Sequence, residues 1–92
     1  MTVREPGIKF ANISCGMGFA IALTENGMLY SSGENSHGQL GLGDTYERDS
    51  FVFIEQFKII GEKIREISCG HKHAICKSAN GKVFTWGLGA DG

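Results

Sequence analysis

Ile13-Ser14-Cys15-Gly16 returns as Ile67-Ser68-Cys69-Gly70, and the 54-residue spacing between the two decides how the chain is read. The match extends well beyond four residues. Positions 7–38 align on 61–92 at the same offset without a gap, with identities at Lys9/Lys63, Ala20/Ala74, Ile21/Ile75, Asn26/Asn80, Gly27/Gly81, Gly33/Gly87 and Gly38/Gly92. Self-similarity at a fixed period near fifty residues marks a repeat architecture, in which one unit cannot bury its apolar face alone and leans on its neighbours. The chain is read as a lead-in connection over 1–12, a first repeat over 13–66 and a truncated second repeat over 67–92.

Within the first repeat, Phe10–Ser14 is short, apolar and β-compatible, Cys15–Gly18 breaks it, and Phe19–Thr24 resumes. Two adjacent strands are expected. Asn26-Gly27 between apolar runs is a hairpin signal, since both residues accept positive φ at low cost, and Met28–Ser32 is the returning strand. The second repeat gives Ile64–Ser68, His73–Ser78, Asn80-Gly81 and Lys82–Trp86 in the same order. After the first hairpin, residues 33–44 form a glycine-rich loop that requires positive φ values, with Leu40 and Leu42 plugged into the core. Thr45–Ser50 reads as an exposed connection, Phe51–Phe57 as one more strand and Lys58–Lys63 as the link onward. Each period thus supplies about four short strands, with no amphipathic helix of ordinary length.

Composition is that of a globular chain: 92 residues, 41% apolar, net charge −1. Apolar stretches such as Phe19–Leu23 are far below the roughly 20 residues of a membrane span. Met1–Pro6 lacks the apolar core of a secretory signal, so a cytoplasmic or nuclear setting is expected, with no membrane partner. Basic residues Lys58, Lys63, Arg65, Lys72, Lys77 and Lys82 are dispersed among acids, which argues against direct nucleic-acid binding by this segment. Cys15, Cys69 and Cys76 read as small buried side chains in a reducing compartment, without a disulfide framework.

Ile-Ser-Cys-Gly, Ala-Ile, Asn-Gly, an aromatic, Gly33, Asn35 and the run Gly38-Gln39-Leu40-Gly41-Leu42-Gly43-Asp44 closely resemble the regulator of chromosome condensation repeat. The resemblance covers nearly all of residues 8–92. It implies an all-β fold, a partial β-propeller of antiparallel four-stranded blades from a seven-bladed ring, which at this period takes roughly 380 residues. Its structural motif falls on Cys15, Gly16, Gly33, Gly38, Gln39, Leu40, Gly41, Gly43 and Asp44, and again on Cys69, Gly70, His73, Trp86 and Gly87. The pattern's His and Trp are present as His73 and Trp86, but the first repeat has Phe19 and Ser32. Drift explains this if Phe19 fills part of the space a Trp would take; alternatively Ser32 leaves a cavity or a contact for another chain. The chain starts in a connection and stops inside a repeat, so a truncated product, an excised piece or a unit completed by other copies is expected.

Other chemistries are weighed against the repeat. Gly87-Leu-Gly-Ala-Asp-Gly92 matches a dinucleotide fingerprint, but the equivalent Gly33–Gly38 lacks the middle glycine and a loop is expected in place of a phosphate-holding helix. Cys69, His71 and His73 alternate, with Cys76 nearby, at a spacing that could hold zinc; Gly70 turns the chain between them, and the first repeat has Cys15, Met17 and Phe19 there. No nucleophile elbow or Cys-His arrangement is present. No catalytic, cofactor-binding or metal-binding residue is assigned, and no cofactor is expected.

Asp44, Glu47 and Asp49 cluster around Arg48 on an exposed connection, read either as a solvated loop or as a partner-facing surface. The partner-facing reading comprises Glu34, His37, Tyr46, Glu47, Arg48 and Asp49. The resemblance implies a protein-interaction propeller segment, with guanine-nucleotide exchange on a small Ras-like GTPase as an activity of the intact ring. The alternative is a non-catalytic scaffold in a chromatin, trafficking, ciliary or ubiquitin-ligase assembly. Unpaired blade edges also point to self-assembly.

Overall fold

Alternating apolar runs and glycine turns fold into two antiparallel meanders. The computed structural model describes residues 9–59 and 61–88. Strands β1 (Phe10–Cys15), β2 (Phe19–Thr24), β3 (Leu29–Gly33) and β4 (Arg48–Phe53) form one sheet in the order β1-β2-β3-β4. A single helical turn, α1 (Gln56–Ile59), leads to β5 (Ile64–Cys69), β6 (His73–Ser78) and β7 (Val83–Gly87), which form a second sheet in the order β5-β6-β7.

The repeat extends to register. Cys15 stands opposite Ala20 and Cys69 opposite Ala74; Ala20 stands opposite Ser32 and Ala74 opposite Trp86. Both first strands slip at the same place, between Phe10 and Asn12 and between Ile64 and Glu66. Two hairpins with one register and one irregularity are the physical content of the 54-residue offset.

The hairpin turns take up only part of the positive φ values that Asn-Gly accepts. Gly27 (φ 86°) and Gly81 (φ 89°) adopt them, but no residue other than glycine does so among those described. Asn26 instead accepts a hydrogen bond through Oδ1 from the Thr24 hydroxyl, whose oxygen accepts the Met28 amide at 2.9 Å. Ser78, Asn80 and Lys82 repeat the arrangement. The Asx side chain closes the turn, and glycine alone takes the left-handed position of a bulged hairpin.

The fourth strand is also displaced from Phe51–Phe57. It begins at Arg48, within the segment read as a connection, and ends at Phe53. Pairing decides this: Tyr30 stands opposite Phe53, Ser31 opposite Val52, and Gly33 recruits Arg48 across an irregularity. The Ile54 amide still donates to the carbonyl of Leu29, the first residue of β3, at 2.8 Å; past that point the chain turns through α1 to put Phe57 into the core against Phe84 and Trp86, with ring centroids 5.1 and 5.6 Å apart.

The core lies between the sheets. Side chains alternate along a strand, so Phe19, Ile21 and Leu23 share one face of β2, and with Leu29 they join Ile64, Ala74 and Cys76 in one buried cluster. Burying several such side chains at about 1.5–3 kcal/mol each makes this joint the main cohesive term. Backbone bonds fix its register: the Ile64 amide donates to the Gly27 carbonyl at 3.0 Å and the Met17 amide to the His71 carbonyl at 2.8 Å. The Cys69 amide donates to Ser14 Oγ at 3.0 Å.

Three sequence expectations change here. Cys76 is buried and Cys69 half-buried, but Cys15 is exposed, because the face of β1 that carries it points away from the second sheet. Phe19 does not fill the volume of a missing Trp at position 32, since it lies on the opposite face of the sheet from Ser32. Ser32 is itself buried, with its hydroxyl donating to the Arg48 carbonyl at 3.4 Å, and offers no side-chain surface to another chain.

Candidate functional site

The segment between β3 and β4 is the longest excursion from the sheets, and its sequence explains why it is ordered. Asn35 is buried at its centre. Its Nδ2 faces the Asp44 carbonyl, Asp44 Oδ1 and the Tyr46 carbonyl, each at 3.0 Å, while its Oδ1 accepts the Leu40 amide at 3.0 Å. One side chain thus closes both limbs of the loop, satisfying backbone groups that would otherwise be buried unpaired. Leu40 is fully buried, and its carbonyl accepts the Ser31 hydroxyl at 2.8 Å.

Asp44 closes the C-terminal limb. Its Oδ1 accepts the Tyr46 amide at 3.0 Å, and its Oδ2 accepts Arg48 Nη2 at 2.8 Å. Arg48 also donates to the Tyr46 carbonyl. The Arg48 hydrogen bond and the Tyr46 amide hold the Asp44 carboxyl below its ordinary range, and Asp44 raises Arg48 in return. Both groups are charged at neutral pH, and the loop is braced by them.

Gly41 marks where this loop meets the second repeat. Gly38, Gly41 and Gly43 all have positive φ, and a Cβ at Gly41 would come within 2.9 Å of Trp86 Nε1. That close approach lets the indole N–H donate to the Gln39 carbonyl at 2.8 Å. The turn tightens further through Gln39 Oε1, which accepts the His37 amide at 2.8 Å. At the other end of the joint Glu34 accepts Lys72 Nζ at 2.9 Å, and this bond, then one from Ser36, lowers the Glu34 carboxyl.

The remaining motif residues serve strand turns. A Cβ on Gly16 would clash with the Phe19 ring, and one on Gly70 with the His73 ring, so Phe19 and His73 are equivalents stacked over a glycine. Gly33 and Gly87 have φ of 110° and 98° where β3 and β7 pass Gly18–Phe19 and Lys72–His73. Cys69, His71 and His73 are split between the end of β5, the turn and the start of β6, and no cluster of three metal-ligating side chains occurs among the described residues. Of the dinucleotide-like run, Gly89–Gly92 lie outside the described residues.

The surface this leaves is specific. Tyr46 is 74% exposed, and His37, Glu47 and Asp49 are exposed beside the braced limbs, whereas Glu34 and Arg48 are engaged with Lys72 and Asp44. Sequence reasoning assigned no role to Ser14, Ser31 or Lys72, all of which hold the joint or the loop. For Ser14 the recurrence at Ser68 was a usable signal; Lys72 has Gly18 as its counterpart and gave none.

A model of the "Regulator of chromosome condensation (RCC1) repeat" matches residues 26–76, and a second of the same description matches 10–39 and 64–92. The chain belongs to the regulator of chromosome condensation repeat family. Relatives of this repeat family include the Bos taurus secretion-regulating guanine nucleotide exchange factor, 40% identical over 83 residues, covering 90% of this chain and 18% of that protein. The Homo sapiens X-linked retinitis pigmentosa GTPase regulator is 38% identical over 90 residues, covering 98% of this chain and 8% of that protein. The solved structure of yeast RCC1 (Prp20) bound to Kap60 matches with a TM-score of 0.82 at 19% identity, over 95% of this chain and 22% of that one. The chain is therefore a β-propeller segment of this repeat family, a four-stranded blade and three strands of the next, and spans less than a quarter of these relatives.

Proposed function

We propose that this segment binds a protein partner through the loop after the third strand of its first blade, as part of a propeller that promotes nucleotide exchange on a small Ras-like GTPase. The observation that carries the reading is the brace of Asn35, Asp44 and Arg48, which fixes the loop while leaving Tyr46 74% exposed beside His37, Glu47 and Asp49. An aromatic side chain held on a rigid loop contributes contact area with little ordering cost, which is what an interface hot spot requires. The likeness to an exchange factor by name supports the GTPase as the partner class.

Exchange on this reading needs no covalent chemistry. A propeller that holds the nucleotide-free GTPase more tightly than the loaded form shifts the population toward release by its differential affinity. No helix of the described residues is long and apolar enough to cross a membrane, and a cytoplasmic or nuclear site of action accompanies the proposal.

The test is release of a fluorescent guanine nucleotide from a panel of small GTPases by the intact propeller at substoichiometric concentration. Faster release, weakened about tenfold by Tyr46→Ala with an unchanged fold, is expected if the loop lies at the interface centre. Binding without faster release would replace exchange by the scaffold reading; unchanged binding by Tyr46→Ala would move the interface off this loop.

A further inference from the structure

An asparagine followed by glycine is the pair most open to attack by the main chain on its own side chain, because glycine puts no Cβ beside the attacking nitrogen. In the β2–β3 hairpin, Asn26–Gly27 is such a pair, with its two halves held differently. Asn26 is exposed, and its Oδ1 accepts the Thr24 hydroxyl, which polarises the Cγ carbonyl toward a nucleophile. Ser78 makes the same contact to Asn80, so the polarised carbonyl belongs to the repeat.

The nucleophile, by contrast, is held away. Gly27 is buried; its N–H donates to the Thr24 carbonyl at 3.2 Å, and its own carbonyl accepts the Ile64 amide across the joint at 3.0 Å. A Cβ on Gly27 would stand 3.0 Å from Lys63 Cβ and 3.2 Å from the Ile64 nitrogen, so the second repeat closes directly over this residue. Turning the Gly27 nitrogen toward Asn26 Cγ therefore breaks its bond to Thr24 and moves a residue that Ile64 and Lys63 pin from the other side.

We propose that Asn26–Gly27 is a site of spontaneous deamidation gated by the joint between the two repeats, and that its isoaspartyl product releases that joint. In the first step the Gly27 nitrogen bonds to Asn26 Cγ, the Cγ–Nδ2 bond breaks, and Nδ2 leaves as ammonia with the Gly27 amide proton. Solvent water then opens the cyclic imide. Addition at Cγ breaks the Cγ–N bond and leaves an aspartate on the original main chain. Addition at the main-chain carbonyl carbon of residue 26 breaks its bond to nitrogen, and the main chain then runs through Cβ and Cγ. That extra methylene enters a turn whose Gly27 carbonyl must meet the Ile64 amide, so the isoaspartyl form loses this contact across the joint.

The test follows Asn26 in the intact propeller by peptide mapping during incubation in mildly alkaline buffer, with exchange of the Ile64 amide measured alongside. Folded wild type is expected to convert at least roughly tenfold more slowly than the same chain in urea, since the joint must open first. Trp86 bonds Gln39 and packs on Gly41 rather than on the turn. Trp86→Ala, and the milder Trp86→Phe, are expected to speed conversion by the factor by which each speeds Ile64 exchange. The isoaspartyl form separated from wild type is expected to lose protection at Ile64 and keep it between β2 and β3. Conversion as fast in the folded as in the unfolded chain would overturn the proposal. So would variants whose conversion does not follow Ile64 exchange, or an isoaspartyl form in which Ile64 stays protected.

Discussion

Removing the Trp86 ring tests the idea that the glycine-rich loop of one blade is a packing partner of the next. The indole lies 5.6 Å from the Phe57 ring, donates to the Gln39 carbonyl at 2.8 Å and approaches Gly41 so closely that no side chain fits there. Truncating a fully buried aromatic to alanine costs about 3–5 kcal/mol; Trp86 is half-buried, which brings the packing part to about 2 kcal/mol. The abandoned Gln39 carbonyl adds about 1 kcal/mol. Trp86→Ala is therefore expected to cost about 3 kcal/mol and Trp86→Phe, which keeps most of the contact and loses the donor, about 1 kcal/mol. At a urea dependence of about 1–1.5 kcal/mol per molar for a chain of this size, the alanine variant shifts the midpoint by about 2–3 M. If Trp86→Ala cost under about 1 kcal/mol and Trp86→Phe nothing, the loop and the ring would not be packed, and the joint would rest on the sheets alone.

Other perturbations separate the remaining parts. Gly81→Ala is expected to cost about 1 kcal/mol for its left-handed backbone alone, and Gly27→Ala about 1 kcal/mol more, because its Cβ meets Lys63 in the joint; paired urea melts read the difference. Ser32→Trp, which would restore the repeat pattern, is expected to destabilise by about 1–3 kcal/mol, since the site is already filled. Asp44 and Glu34 both titrate below their ordinary values of 3.8 and 4.5, so between the folded and ordinary values the folded state binds fewer protons than the unfolded one, and their contribution is complete only above those ordinary values and is lost as pH falls through the folded ones. An acid titration of Asp44→Asn should accordingly start from lower stability at neutral pH and fall less steeply below pH 4 than the wild type.

The strands were legible because glycine punctuation and apolar runs carry local information, and the hairpins of both repeats fall where those signals stand. Phe57 was misplaced because nothing local distinguishes an apolar residue that continues a strand from one that turns into the core; the end of β3 as a pairing template settles it. Cys15 and Cys69 are identical in sequence context yet differ in exposure, because burial is decided by which side the neighbouring sheet occupies. In the loop, the glycines were readable as backbone requirements, whereas the hub role of Asn35 depends on bringing residues 40, 44 and 46 together in space. Tyr46 was readable only as one polar-loop residue among several until its neighbours were shown to be braced.

The account stands on two repeats docked as one unit, and amide hydrogen exchange of the Met17, Ile64 and Cys69 N–H groups tests this most directly. Each donates across the joint, to the His71 carbonyl, the Gly27 carbonyl and Ser14 Oγ respectively. If the joint is cooperative, Ile64 and Cys69 are protected as strongly as the amides between β2 and β3, and Met17 far more than an exposed turn would be. Free-loop exchange at these three amides, beside protected hairpins, would show two blades that fold separately and contradict the account.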